Sequence, residues 1–121
     1  MQSARVVAAV AELGSLDLKM PREDQFHSAH RLIKRGDIIG MRHALDAGLD
    51  PNLTNRFGWT LLMLAALHGR SDFAQLLMSC GADTTRKNKF GDSASSLASH
   101  KGFRHLVSAL EHAAVTHRAE V

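Results

Sequence analysis

Apolar residues along this chain fall into short helix-length segments that come in pairs and end at glycines. The clearest pair lies in residues 55–88, where a turn carrying Gly58 precedes an apolar segment that ends at Gly69. A second apolar segment follows and stops at the Gly-Ala-Asp sequence of residues 81–83. Two such segments separated by glycines predict a helix–turn–helix unit.

This unit recurs along the chain at an interval of 33 residues. Glycines, aspartates and small or apolar residues all keep the interval. The matching positions are Gly36, Gly69 and Gly102; Gly48 and Gly81; Gly58 and Gly91; Asp50 and Asp83; Leu64 and Leu97; and Ala65 and Ala98. A period of about 20 to 50 residues is typical of stacked repeats, and this one accommodates two helices and a turn.

Residues 55–88 resemble the ankyrin repeat. The resemblance is carried by Gly58-Trp59-Thr60, Leu62, Leu64-Ala65-Ala66, Gly69, Leu76-Leu77 and Gly81-Ala82-Asp83. Repeats of that family typically begin their first helix with Thr-Pro-Leu-His, whereas Thr60-Leu61-Leu62-Met63 stands in that place here. Because the histidine is missing, we expect the hydrogen bonding of the turn to differ more than the fold.

The resemblance and the period together predict an all-α fold. We expect an ankyrin-repeat solenoid of about three helix–turn–helix repeats plus an N-terminal half-repeat helix over residues 4–13. Residues 1–121 are expected to form a single domain. Its predicted parts are an N-terminal capping helix and loop (4–21), repeat 1 (22–54), repeat 2 (55–87), and repeat 3 with a C-terminal cap (88–121).

In repeat 1, the spacing predicts a first helix from His27 to Lys34, preceded by a turn in which Gln25 replaces the glycine found at Gly58. Ala29, Leu32 and Ile33 are predicted to point inward from this helix. The second helix is predicted to bury Ile38, Met41 and Leu45, with Ile39 as a further candidate.

In repeat 2, Thr60 or the turn before it is placed to cap a first helix that runs to His68. Leu76 is predicted to lie inside the second helix pair, and its truncation to alanine should cost about 2–5 kcal/mol if the site is fully buried. In repeat 3, serines at positions 93, 95 and 96 replace apolar-leaning positions. A polar outer face is typical of a terminal repeat, since no neighbour covers it.

Composition narrows the environment and the partner. Cys80 is the only cysteine, so an intrachain disulfide is impossible and nothing indicates an oxidising compartment. No apolar run approaches the roughly 20 residues that span a bilayer. We therefore expect a cytoplasmic protein without a membrane segment. The formal charge of +3 slightly favours an acidic partner.

No sequence motif indicates catalysis or a cofactor. Ser28 and His30 lie close together, but no third catalytic group is placed by any spacing rule. His27 and His30 share a helix face and are candidate metal ligands. Further candidates are His100, His105 and His112. The preferred interpretation is that these histidines are solvated or cap helices. Cys80 is interpreted as an inert, partly buried thiol. We predict no enzyme activity, no cofactor and no metal.

Function is then expected on the surface of the stack. In ankyrin-like proteins the partner usually meets the turn tips and the exposed side of the first helices. Transferred position by position, this resemblance implies a partner-binding set of Phe26, Lys34, Arg35, Arg56, Phe57, Trp59, Leu67, His68, Lys87, Lys89, Phe90, Asp92, His100 and Lys101.

Two of these positions have a structural alternative. Phe57 and Phe90 recur at the same place in successive repeats, so the alternative role of each is to pack its turn against the next. Trp59 has no counterpart at Asp92, so a packing rule does not require it, and a core role is not expected. Trp59→Ala is accordingly expected to weaken partner binding by about 2 kcal/mol or more and to leave the fold intact.

The preferred function is a non-enzymatic protein–protein interaction module. We expect a small stand-alone inhibitor of immunity type, or an adaptor, that binds an acidic or mixed protein surface through its concave face and turn tips. The alternative is nucleic-acid binding through Arg86, Lys87, Lys89, Lys101 and Arg104, with Phe90 or Trp59 as stacking platforms. Residues 4–13 could also pair with a second copy, so a monomer or weak homodimer is expected.

Overall fold

The computed structural model describes residues 18–119, and the side chains of residues 18–113. The predicted helix over residues 4–13 therefore lies outside the described residues. Six helices occupy the described part: α1 (Arg22–Arg35), α2 (Ile38–Asp46), α3 (Leu61–Leu67), α4 (Ser71–Ser79), α5 (Ala94–Lys101) and α6 (Arg104–Ala119). Residues 18–119 contain no named strand, only a single antiparallel bridge between Thr54 and Thr60.

The helices stack as three successive pairs. The first helices form one layer, in which α1 contacts α3 and α3 contacts α5. Each first helix also packs on the second helix of its own pair, and α2 contacts α4. The predicted all-α solenoid of helix pairs is confirmed.

The N-terminal caps of α3 and α5 show which side chains take the place of the missing histidine. The Thr60 hydroxyl accepts from the Met63 N–H at 3.1 Å, and the Met63 sulfur accepts in return from the Thr60 N–H at 3.5 Å. In the next repeat the Ser93 and Ser96 hydroxyls make the same reciprocal pair. The predicted Thr60 cap is confirmed, and a thioether or hydroxyl at the third helical position completes the capping box.

The first helix of repeat 1 begins earlier than predicted. α1 starts at Arg22, directly after Pro21, so Gln25 lies inside the helix instead of in a turn. The Gln25 side-chain amide donates to the Leu18 and Met20 carbonyls at 3.2 and 2.8 Å. Glutamine has no advantage at the positive φ values that such turns need, and it is a good helix former, so the chain continues as helix.

The core follows most of the predicted apolar stripes. Ala29, Leu32, Ile33 and Met41 are buried as predicted, and Ala44 joins them. Ile39, however, is 66% exposed, so its prediction as a core residue is wrong. α2 turns Gly40, Met41 and Ala44 inward, and this register leaves position 39 on the solvent side.

Burial also changes one stability expectation. Leu77 is fully buried, whereas Leu76 is only partly buried against the core. The condition of full burial attached to Leu76→Ala is therefore not met. The 2–5 kcal/mol range belongs to Leu77→Ala, and we expect Leu76→Ala to cost less than about 2 kcal/mol.

Candidate protein-binding surface

Two asparagines hold the turn tips between the helix pairs. The Asn55 side-chain oxygen accepts from the Phe57 and Trp59 N–H groups at 2.9 and 3.0 Å. The Asn88 side-chain oxygen accepts from Phe90 and Asp92 in the same way, at 2.9 and 3.0 Å. Neither asparagine is among the predicted functional residues, although their 33-residue spacing is a signal that could have indicated a role.

The two turn tips pack against each other. The Lys89 N–H donates to the Phe57 carbonyl at 2.9 Å, and the Phe57 and Phe90 ring centroids lie 6.4 Å apart. The two rings therefore take the alternative role, in which each turn packs against the next. Even so, Phe57 is 46% exposed and Phe90 is 69% exposed, so both rings still present apolar area to solvent.

Cations border the exposed rings. The Arg56 guanidinium lies 5.6 Å from the centroid of the Phe57 ring and 3.4 Å from a Glu23 carboxylate oxygen. Lys89 is exposed beside Phe90. We call Arg56, Phe57, Lys89 and Phe90 the turn-tip patch.

A second group of exposed side chains lies where the three first helices end. Lys34 and Arg35 close α1, His68 caps α3, and His100 and Lys101 close α5. All five are exposed, and none takes part in an ion pair among the residues that the structure describes. We call this group the helix-end row. Cations at helix C-termini are favoured by the helix dipole, so part of this pattern serves helix stability.

The predicted partner-binding residues thus form two patches rather than one. Arg56 of the turn-tip patch pairs with Glu23 near the start of α1, whereas Lys34 of the helix-end row lies near its end. Eleven residues of helix separate these positions, which corresponds to about 16 Å along the axis. The two patches lie at opposite ends of the first-helix layer.

Two predicted contact residues have core roles instead. Phe26 is only 3% exposed and lies with Ala29 and Ile33 on the buried side of α1, so its prediction as a surface contact is wrong. The cause is the early start of α1, which places Phe26 on the apolar stripe. Trp59 is partly buried and packs against the hydrophobic core, which contradicts the expectation that it has no core role.

The remaining predicted residues differ in exposure. Leu67 and Asp92 are half-buried, and Lys87 is exposed. Arg86, named for the nucleic-acid alternative, lies 3.7 Å from the Asp83 carboxylate and is therefore partly neutralised. Cys80 is exposed, so the expectation of a partly buried thiol is wrong.

His30 pairs with a histidine of the neighbouring repeat. Its Nε2 atom lies 3.3 Å from Nε2 of His68, and the ring centroids are 5.4 Å apart. Burial lowers the pKa of both imidazoles, and the positive charge of Lys34 lowers both pKa values further. No group of three or more metal-ligating side chains occurs in the described part of the chain.

Among residues 18–119, no helix combines the length and the apolar character needed to cross a membrane.

Comparison with known proteins places this architecture in a family. A profile of ankyrin repeats (three copies) matches residues 27–119. An ankyrin repeat protein of Pseudomonas aeruginosa is 37% identical over 60 residues, which is 50% of this chain and 35% of that protein. The mouse ankyrin repeat family A protein 2 is 36% identical over 76 residues, or 63% of this chain and 24% of that protein.

A third relative is matched over only a small part of its length. The mouse 2-5A-dependent ribonuclease is 37% identical over 62 residues, which is 50% of this chain but only 8% of that enzyme. The chain thus spans 35% or less of the length of these relatives, and their activities do not transfer with the match. The profile covers most of the sequence, and so the chain belongs to the ankyrin-repeat family, whose repeats are generally non-enzymatic modules that bind other proteins.

Proposed function

We propose that this chain binds an acidic or mixed surface of another protein through the helix-end row and the turn-tip patch, as an inhibitor of immunity type or as an adaptor. The proposal includes a cytoplasmic location and a monomer or weak homodimer. An inhibitor and an adaptor use the same surfaces, and they differ in whether the bound partner keeps its activity.

The observation that carries the proposal is the helix-end row. Its cations Lys34, Arg35 and Lys101 lie at the ends of α1 and α5, with His68 at the end of α3 between them. Stacked helices lie about 8–10 Å apart. The row therefore extends over about 20 Å and matches a linear array of carboxylates better than a single anion. Like-signed charges arranged in this way accelerate encounter with an oppositely charged surface and select against basic partners.

The turn-tip patch supplies apolar contact area, which a row of charges lacks. Charged contacts at an interface rim contribute more to association rate and selectivity than to affinity. Exposed aromatic rings beside arginine belong to the residue types that dominate binding energy when they become buried. Phe57 and Phe90, with the Arg56 guanidinium beside the Phe57 ring, are the apolar anchor in this proposal.

Affinity capture with matched variants tests the proposal. The protein is immobilised as wild type, as Lys34→Glu/Lys101→Glu, and as Arg42→Glu/Arg104→Glu, which makes the same charge change on the second helices. Nuclease-treated lysate of the producing cells is passed over each, and bound proteins are identified by mass spectrometry. We expect a protein captured by the wild type and the second-helix variant and lost from the helix-end variant.

Two outcomes would overturn it. Capture that the second-helix variant loses as fully as the helix-end variant would mean that net charge alone attracts the protein. Capture that disappears on nuclease treatment, together with a wild-type gel shift that weakens steeply with salt, would favour the nucleic-acid alternative. For a confirmed partner enzyme, its activity in the complex distinguishes inhibitor from adaptor.

A further inference from the structure

His30 and His68 are brought together by the stacking of two repeats. His30 lies on α1 and His68 caps α3, 38 positions apart in sequence. Their Nε2 atoms, the outermost atoms of each ring that can bind a metal, lie 3.3 Å apart. Two exposed or half-exposed imidazoles that face each other across a repeat junction are not required by helix capping or by the core.

The distance between these nitrogens matches a chelate. Imidazole nitrogens bind Zn²⁺ at about 2.0–2.1 Å, and a tetrahedral angle at the metal then places the two nitrogens about 3.3–3.4 Å apart. The ring centroids lie 5.4 Å apart, only about 2 Å more than the two Nε2 atoms, so the Nε2 edges of the two rings face each other. An ion can therefore enter with little movement of the backbone.

We propose that His30 and His68 form a two-histidine site for a divalent transition-metal ion of the Zn²⁺ or Ni²⁺ class. Two nitrogen ligands come from the protein, and water completes the coordination. Imidazole is a ligand suited to these ions, whereas Mg²⁺ and Ca²⁺ require oxygen ligands and are excluded from this site.

Protons balance without net release. In the unoccupied pair one ring donates its Nε2–H to the Nε2 lone pair of the other, so only one Nε2 has a lone pair, and that lone pair accepts the hydrogen bond. Metal binding needs both lone pairs. The donor ring therefore moves its proton to Nδ1, and both neutral imidazoles then present Nε2 to the ion.

A nearby positive charge opposes metal binding at this site, and a bound ion would stabilise the stack. Lys34 lies one turn after His30 on α1, and its charge acts on both rings. It should weaken the binding of any divalent cation. Because the ligands belong to different helix pairs, a bound ion joins α1 to the end of α3 and stabilises the junction between repeats 1 and 2.

Calorimetric titration of the isolated protein with Zn²⁺ tests the site. The variants are His30→Gln, His68→Gln, Lys34→Gln, and His43→Gln as a control on an exposed histidine of α2. We expect His30→Gln and His68→Gln to weaken Zn²⁺ binding at least about tenfold, since even outer-shell changes around a metal cost about 10–100-fold. Lys34→Gln should tighten binding, and His43→Gln should leave it unchanged.

Ring ¹⁵N shifts of the wild-type histidines give a second readout that does not depend on a variant folding. We expect Zn²⁺ to shift Nε2 of His30 and His68 together, before the other six histidines. Equal Zn²⁺ affinity in wild type and in both ligand variants would overturn the proposal. So would early shifts confined to other histidines, which would assign the ion to adventitious surface sites. No partner is used, so the outcome is independent of the proposed function.

Discussion

The two junctions between successive repeats carry different kinds of side chain at the same repeat position: a hydrogen-bonding cation at one and an aromatic ring at the other. Arg70 and Phe103 are 33 residues apart and each lies just before a second helix. Arg70 reaches back to α1, where its Nε donates to the Ile33 carbonyl at 3.2 Å and its Nη2 donates to the Lys34 carbonyl at 3.0 Å. Phe103 instead places the tip of its ring against Gly69, the glycine that follows α3.

The comparison shows which feature the two junctions share and which one varies. Both side chains cover a left-handed glycine of the preceding repeat: Arg70 covers Gly36, and Phe103 covers Gly69. Gly102, the equivalent glycine of repeat 3, has no such cover within 4 Å in the described structure. The glycine and its cover are thus the shared device, and the cover can be a hydrogen-bonding cation or a ring.

The largest expected effect contrasts two of these glycines. Gly69→Ala meets a backbone φ of 67° and places its Cβ 2.7 Å from the Phe103 ring, whereas Gly102→Ala at φ 81° meets open space. We expect Gly69→Ala to lower the free energy of unfolding by about 2–4 kcal/mol and Gly102→Ala by about 1–2 kcal/mol. Chemical denaturation of both variants checks this.

The double variant Gly69→Ala/Phe103→Ala serves as its control. Removing the ring should recover the part of the loss that comes from the clash, so the two changes should cost less together than the sum of the single costs. Equal costs for Gly69→Ala and Gly102→Ala, with additive double-variant energies, would show that the ring does not constrain this junction.

A smaller effect is expected at the polar junction. Arg70→Met keeps an apolar stem but removes both hydrogen bonds to the carbonyls that end α1. We expect a loss of about 1–2 kcal/mol, because these bonds come from a charged donor that is partly exposed. Arg31→Met, on the exposed surface of α1, should change the unfolding free energy by less than about 0.5 kcal/mol. A loss no greater than that of Arg31→Met would contradict the role of Arg70 as a junction contact.

The turn tips provide a weaker contact at the second junction. Single and double alanine variants of Phe57 and Phe90 form a thermodynamic cycle for stability. We expect a coupling energy of about 0.5–1 kcal/mol, at the lower end for aromatic pairs because both rings are partly exposed. Costs that add to within about 0.3 kcal/mol would mean that the rings are neighbours without mutual stabilisation.

The smallest effect is a pH dependence confined to the first junction. The folded-state pKa values of His30 and His68 lie below the ordinary 6.5, so protonation favours the unfolded chain. Their contribution is intact above pH 6.5 and is lost as the pH falls through the two folded-state values. The cationic or titratable groups that act on the pair are His27, Lys34, Arg70 and Lys101.

The pH dependence is measured as the unfolding free energy of the wild type minus that of His30→Gln/His68→Gln. We expect this difference to shrink below pH 6.5, whereas His43→Gln should follow the wild type. A difference that grows on acidification would contradict the lowered pKa values.

Sequence periodicity predicted the fold because it recorded the contacts that repeat. The helix pairs, the Thr60 cap and most buried positions follow from one 33-residue unit. Departures occur where a repeat breaks the pattern: Gln25 takes a turn position and the helix runs through it, which buries Phe26. His30 and His68 do not occupy equivalent repeat positions, so their proximity could not be predicted from the repeat period.

The surface was harder to predict than the core for a physical reason. Burial leaves an apolar stripe with a helical period, whereas an exposed side chain carries no such signal. Trp59 has an apolar ring that suits either role, and its position beside the core decides the matter. Trp59→Ala therefore changes stability as well as any binding, and it no longer isolates the partner contact.

The most direct test of the account is the footprint of a captured partner on this chain. Amide hydrogen exchange of the free and bound protein would be compared for the peptides that end α1, α3 and α5 and for those of α2 and α4. We predict slower exchange on binding at the three first-helix ends and at the turn carrying Phe90, with α2 and α4 unchanged. Protection centred on α2 and α4, with the first-helix ends unaffected, would contradict it.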